Sequence, residues 1–391
     1  MSFTPILDRV SYGGAMIEKE EIKAIFDVIL SQSGRRWTIG PESVALEKEL
    51  AQVAGVKRAV LTNSGSSALL VAITALHLPK GTKVIIPACN FPTAFNSLIQ
   101  NNLLPVVVDI DLKTLNLDLE EVKKAIKKHP DIEAVLAVDI AGNPVDLIKL
   151  REIVGKRIII LDDCDGFGTL LNGRMIEQYA DVSCVSFHAA HIITMGEGGA
   201  VLTNNEMLAD RATKIREWGR ESGSDKIYHY EGFPNDYKER YVYTEIGYNV
   251  KPLELQCAMG RVQLKRLRGF ADKRISNYNK LKAVFEKYSD KFTIITAIEN
   301  STPCWFSFPI LVHYNGGRGA AMRRFEKNNI ETRTIFSGNI LRHPAYKDVQ
   351  VVRIGKYPNA DKVMKEGMFL SVHPSIDDDM IKFISDVASE I

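Results

Sequence analysis

Between residues 14 and 268 the chain alternates short, almost wholly apolar runs with stretches of helical periodicity, and this alternation narrows the fold more than any other feature. The runs lie at residues 59–63, 83–86, 105–109, 134–138, 158–161, 182–187 and 199–203. A strand with one wet face alternates apolar and polar side chains, whereas a strand covered on both faces does not need to. Continuous apolar runs separated by helices therefore predict an α/β unit with a mainly parallel, seven-stranded sheet. Residues 18–30 read as an amphipathic helix with Ile22, Ile25, Phe26 and Ile29 on one face. Further helices are expected at 64–76 and 119–128. Beyond Arg268 the texture changes. A long charged helical stretch at 258–288 leads into strands at 292–295, 305–312 and 333–336 and a last helix at 376–390. The expected layout is a large domain over residues 1–265 and a smaller α+β C-terminal domain over 266–391, without internal repeats or low-complexity tracts.

The 391 residues carry a net charge of +2 with both signs intermixed, which argues against nucleic acid and membrane surfaces as partners. The N-terminal residues lack a signal-peptide pattern, and no apolar run approaches the ~20 residues that span a bilayer. Five scattered cysteines, Cys89, Cys164, Cys184, Cys257 and Cys304, fit reduced thiols in a cytoplasmic protein. No metal site is expected.

Three local patterns carry chemistry. Ser64-Gly65-Ser66-Ser67 lies between a strand and a helix, where free backbone N–H groups and a helix N-terminus can cradle an anion. An ordinary helix cap by Ser64 or Ser66 is the alternative. Asp162 follows the run 158–161, at the carboxyl end of a strand where α/β sites gather, with Asp163 as the neighbouring competitor. The third pattern is Ser186-Phe187-His188-Ala189-Ala190-His191, followed by Thr194-Met195-Gly196-Glu197-Gly198-Gly199.

This last phrase resembles the cofactor-lysine segment of the sugar aminotransferases that use pyridoxal phosphate (PLP), the DegT/DnrJ/EryC1/StrS type. The resemblance extends over most of the chain. It implies the aspartate-aminotransferase fold, PLP type I. In that family a lysine five residues after the Ser binds the cofactor aldehyde; here the position is His191. An imidazole forms no stable imine with an aldehyde but moves protons near neutral pH. The chain thus resembles the His-bearing branch, the 3-dehydratases of nucleotide-linked 4-keto-6-deoxy sugars. The offset from Ser186 selects His191 over His188, and no lysine occurs between Lys156 and Lys214.

The resemblance implies roles residue by residue. His191 is the base that takes a proton from the methylene of pyridoxamine phosphate (PMP), and Asp162 keeps the pyridine nitrogen protonated. Gly65, Ser66 and Ser186 bind the phosphate. Phe91 lies against the ring, or is a core residue. Asp165 is a second polar position near the ring hydroxyl or the histidine. Asn249 reaches the phosphate of a neighbouring subunit, which implies a homodimer with shared sites; Gly247-Tyr248-Asn249 also reads as a plain turn. Trp37, Arg220 and Arg333 are candidates for the nucleotide sugar, with surface roles as the alternative for the arginines. Ser337-Gly338-Asn339 resembles a substrate-side loop.

The branch has two types. One carries a [2Fe–2S] cluster on four cysteines and works with a reductase; the other lacks the cluster and recycles PLP to PMP with L-glutamate. Cys164 fits the first cluster position, but the other three fall on Ser222, Ser224 and Gly232, which supply no thiolate. The expectation is therefore PLP/PMP without an iron–sulfur cluster, with Cys164 as a small buried residue. Glutamate is the expected co-substrate. A reductase-coupled dehydratase and an inactive sensor or assembly partner are the alternatives.

Overall fold

A computed structural model describes residues 9–31 and 36–391; residues 1–8, where the sequence lacks a signal-peptide pattern, lie outside the described residues. Helices α1 (Lys19–Ser31) and α2 (Pro41–Ala54) precede β1 (Arg58–Thr62), α3 (Gly65–Ala75), β2 (Lys83–Pro87), α4 (Pro92–Gln100) and β3 (Leu104–Val108). Next come α5 (Leu119–Lys128), β4 (Ile132–Val138), α6 (Leu147–Val154), β5 (Ile158–Asp162), β6 (Leu170–Leu171) and β7 (Arg174–Met175). After β8 (Val182–Ser186), β9 (Gly199–Thr203) and α7 (Glu206–Arg216) the chain enters the 32-residue α8 (Glu254–Phe285). The remainder holds β10 (Phe292–Ile294), β11 (Ser301–Thr302), β12 (Ser307–Val312), α9 (Gly317–Lys327), β13 (Arg333–Thr334), β14 (Val352–Arg353), α10 (Pro358–Glu366), β15 (Gly367–Ser371) and α11 (Asp378–Ser389).

All seven expected strands join one sheet, in the order β1-β9-β8-β5-β4-β2-β3, and β14 adds an eighth beside β3. The expected count was one short because β14 pairs through only two residues, too few to show as a run. Only β9 runs against its neighbours. The interior positions of these strands are buried, as continuous apolar runs require. A second, antiparallel sheet, β10-β12-β15-β13, packs against α8 and α11 through Phe285, Phe292 and Phe308. The strand expected at 333–336 stops after Thr334, since Phe336 has φ of 40° and leaves the extended region.

Helix α1 forms where expected, but of its apolar face only Ile25 packs against the core, partly buried. Ile22, Phe26 and Ile29 are exposed, while Glu21 is buried. The Glu21 carboxylate accepts from Gln263 Nε2 at 2.8 Å and lies 3.5 Å from Arg266, so polar contacts seat this helix on α8.

Glu254, at the start of α8, holds α2 in place. Its buried carboxylate accepts the N–H groups of Gly40 (2.8 Å), Glu42 (2.8 Å) and Ser43 (3.1 Å) and the Ser43 hydroxyl. These N–H groups belong to the first turn of α2, where no intrahelical acceptor exists and negative charge is favoured. Glu254→Ala takes this acceptor from the Glu42 and Ser43 N–H groups, while the Gly40 N–H keeps the Ser43 hydroxyl at 3.0 Å, and is expected to cost about 3 kcal/mol in denaturant unfolding. A change under about 0.5 kcal/mol, the range of an ordinary surface substitution, would contradict this role.

Candidate active site

The parallel strands end on one edge of the sheet, and a cavity of about 840 Å³ opens there. Asp162 closes β5, Ser186 closes β8, and Phe91 caps α4 just beyond β2; all three line the cavity. This is the crevice where open α/β sheets place their ligands.

Helix α3 points its first turn into the same cavity through Ser64, Gly65, Ser66 and Ser67. Ser64 does cap the helix, its Oγ accepting from the Ser67 N–H at 3.1 Å. Cap and anion site coexist, because one cap leaves other first-turn donors free. Ser66 Oγ donates to Thr93 Oγ1 at 3.0 Å. Gly65 is required by close approach: a Cβ there would stand 2.6 Å from Ser186 Cβ and 2.8 Å from Cys164 Sγ. Cys164, expected to be buried, is instead partly accessible and lines the cavity, because the turn after β5 brings it under Gly65.

Three buried acids, Asp139, Asp162 and Asp165, line the cavity. Burial pushes the pKa of Asp162 up, opposed by the Cys164 thiol and by the Cys164 N–H at 3.3 Å. Asp165 has its pKa pushed up to about 8, first by burial and then by the charge of Asp162, while the Ala141 N–H at 3.2 Å and Arg274 oppose the shift. Asp163 does not line the cavity. It is buried with Asp139 and Glu177, and burial pushes the pKa of all three acids up.

His191 lies between β8 and β9 with Nε2 3.7 Å from Asp165 Oδ1. The Phe306 ring meets it edge-on, with centroids 5.5 Å apart and planes at 87°. Its Nδ1 is buried without a hydrogen-bond partner. Burial lowers its pKa to about 3, helped by His188 and Arg274 and opposed by the Ser186 carbonyl. The ring is therefore neutral at pH 7 and able to accept a proton. His188 lines the cavity too, but its side chain is 45% exposed against 18% for His191, and its Nδ1 accepts the Ala190 N–H at 3.2 Å. Among the described residues no lysine lines the cavity.

Phe91 is half exposed and meets the edge of Phe336 at 5.9 Å. Arg333 also lines the cavity, with its guanidinium over the Tyr12 ring at 4.3 Å. Trp37, Arg220 and Asn249 do not line this chain's cavity. The Trp37 carbonyl accepts from the Glu254 N–H, Arg220 lies over the Trp218 ring at 4.8 Å, and Asn249 accepts from Lys251 at 2.6 Å. Trp37 thus lies in a segment tied to the start of α8, and Arg220 in the segment that follows α7. Cavity residues that sequence reasoning missed include Tyr12, Phe306, Phe336 and His343. Only Ser337, in the flagged loop, had a local signal; it lines the cavity, and its carbonyl faces His343 Nε2 at 2.8 Å.

Residues 15–388 match the DegT/DnrJ/EryC1/StrS aminotransferase family. The chain is 33% identical over 394 residues to the lipopolysaccharide biosynthesis protein RfbH of Salmonella typhimurium, covering 95% of this chain and 89% of that one. It is 33% identical over 370 residues to GDP-4-keto-6-deoxy-D-mannose 3-dehydratase of Yersinia pseudotuberculosis, covering 91% and 92%. A crystal structure of GDP-4-keto-6-deoxymannose 3-dehydratase with a trapped PLP–glutamate geminal diamine aligns with a TM-score of 0.87 at 27% identity, over 96% of this chain and 99% of that one. With nearly its whole length matched, the chain belongs to the DegT/DnrJ/EryC1/StrS aminotransferase family and has its PLP aminotransferase fold.

Proposed function

We propose that this enzyme removes the C3 hydroxyl of a nucleotide-linked 4-keto-6-deoxyhexose, with PMP as cofactor and L-glutamate restoring the cofactor amine. The observation that carries this reading is His191. A buried, neutral imidazole stands against Asp165 in a cavity that no described lysine lines. The 3-dehydratase relatives support it, and the solved relative holding PLP with glutamate supports the recycling partner.

The residues present fit the cofactor. The first turn of α3, cleared of side chain at Gly65 and flanked by the hydroxyls of Ser66 and Ser186, suits a phosphate. Asp162, a buried carboxyl whose partners are the thiol and N–H of Cys164, suits a protonated ring nitrogen, and Phe91 suits the ring face. When bound, the cofactor supplies an electron sink conjugated to the sugar carbons. The protein then does three things. Asp162 holds the proton on the ring nitrogen. His191 takes the proton from the carbon next to the ring and returns it to the departing hydroxyl, so water leaves with the electron pair of the C3–O bond. Asp165 lies beside His191 to orient it. Arg333 binds the sugar nucleotide through its planar fork of donors.

Each site is completed by a second copy. Asn249, Trp37 and Arg220 lie outside their own chain's cavity, and α1 exposes Ile22, Phe26, Ile29 and Leu30, an apolar stripe suited to a homodimer. With Ser222, Ser224 and Gly232 at the remaining cluster positions, no iron–sulfur cluster takes part. The described residues contain no helix long and apolar enough to cross a membrane.

Mass spectrometry of a panel of nucleotide-linked 4-keto-6-deoxy sugars incubated with PLP, with and without glutamate, tests the reaction. A product lighter by one oxygen, formed together with 2-oxoglutarate and ammonia only when glutamate is present, is the expected result. Turnover that needs PMP and a reductase instead would move the enzyme to the reductase-coupled type. His191→Asn should lower C3 elimination by at least about 10²-fold while PLP still binds; full activity in that variant would remove the base assignment. Asp162→Asn should weaken PLP binding and cut kcat, read by cofactor absorbance and product formation; unchanged values for both would exclude the ring-nitrogen role.

A further inference from the structure

Two arginines are among the largest fully buried side chains, and they are buried in different ways. Arg216 is paired with Glu47 at 2.6 Å and Glu217 at 3.0 Å. Arg274, on α8, makes no ion pair among the described residues. Its guanidinium meets only carbonyls: Phe306 O at 2.9 Å, Trp305 O at 3.3 Å and His191 O at 3.4 Å. Its Nε has no partner. A buried cation without a counter-ion is costly, whereas an apolar side chain of similar volume would fill the space without that cost.

The place where this cost is borne is informative. His191 lines the main cavity and also a small pocket of about 10 Å³ that it shares with Arg274 and His373. The imidazole thus stands between the cavity and the guanidinium. From the reading of His191 as the base, we propose that Arg274 is its positioning residue: the guanidinium ties the His191 backbone to the carbonyls of Trp305 and Phe306 and sets an uncompensated cation behind the imidazole, adding to what burial and His188 already do at the cavity wall.

The other titratable groups around the ring do not cancel that cation. Asp165 is the nearest carboxyl to His191, but it is raised to about 8 and is mostly protonated at pH 7, so it does not draw a proton onto the imidazole. His188 approaches the ring edge-on at 5.5 Å, with Glu197 3.8 Å beyond it, and its interaction with His191 disfavours the imidazolium. His373 on the small pocket is itself held neutral, its pKa lowered to about 4 by burial and by Arg274. The Cys304 thiol is pushed up to about 12 by burial and carries no charge. The sign follows: a cation behind the ring disfavours the imidazolium, lowers the pKa of His191 and keeps its base form available in mild acid.

The test is a pH titration of ¹⁵N-histidine-labelled, cofactor-free protein by NMR, for the wild type, Arg274→Met and Arg274→Lys, alongside kcat/KM profiles of the holoenzymes. Wild-type His191 is expected to remain neutral well below the ordinary histidine range. Arg274→Met is expected to raise its pKa by about one unit or more and to move the acid limb of kcat/KM up by the same interval, while Arg274→Lys restores the wild-type profile. Wild-type His191 titrating near its ordinary ~6.5 would overturn the proposal whether or not the variants fold. So would an Arg274→Met titration that coincides with wild type, or an Arg274→Lys profile that coincides with Arg274→Met. The NMR readout needs no turnover. Expected titrations without C3 elimination would leave this inference standing and remove the dehydration reading alone.

Discussion

The first turn of α3 lies against the ends of β5 and β8 with no side chain between them, and the rest of the site depends on that contact. Gly65 permits it on one side, where a Cβ would strike Ser186 and Cys164. Gly199 permits it on the other, where a Cβ would stand 2.5 Å from the Ser64 carbonyl carbon. The antiparallel strand β9 is therefore able to slot between β1 and β8, and the helix N-terminus is directed at the carboxyl edge of the sheet. A larger residue at either position would force the helix away from Ser186 and open the anion-binding end of the cavity.

Burial then sets the chemistry. Asp162 and Asp165 share a cavity wall and repel one another, and both are starved of water. His191 is kept neutral by the same dryness. Environments that push neighbouring titratable groups in opposite directions are how one site can hold both a proton donor and a proton acceptor at neutral pH. Asp139, on the cavity wall, is buried together with Asp163 and Glu177, and burial pushes the pKa of each of these acids up.

Helix α8 joins the two halves of the molecule physically. Glu254 at its start fastens α2, Gln263 and Arg266 seat α1, and Arg274 reaches His191 and the residues just before β12 of the second sheet. The polar seat of α1 explains why an apolar face that sequence periodicity assigns to a core lies on the surface. Glu21 finds the buried Gln263 and the partly exposed Arg266 on α8, and the hydrophobic stripe is left for a different contact.

Much of this was legible in the chain itself. The seven strands announce themselves as unbroken apolar runs because they are covered on both faces. Asp162, Ser186, Gly65 and His191 could be found because each lies where a strand ends or a helix begins, and local pattern marks such places. What the sequence could not reveal are the contacts made by distant segments. Phe306 and Arg274, more than 80 residues beyond His191, decide its environment, and Tyr12 and Arg333 meet across more than 300 residues. β14 has too few residues to leave a pattern. Residue type and pattern alone did not separate Asp162 from Asp163, and only the family resemblance favoured Asp162; the pleat of β5 and the turn after it turn Asp162 to the cavity and Asp163 away from it. Local periodicity determines which segments form and where their ends lie, but charge state depends on what surrounds a group in three dimensions. The tertiary structure therefore decided that His191 is neutral and that Asp165 holds a proton.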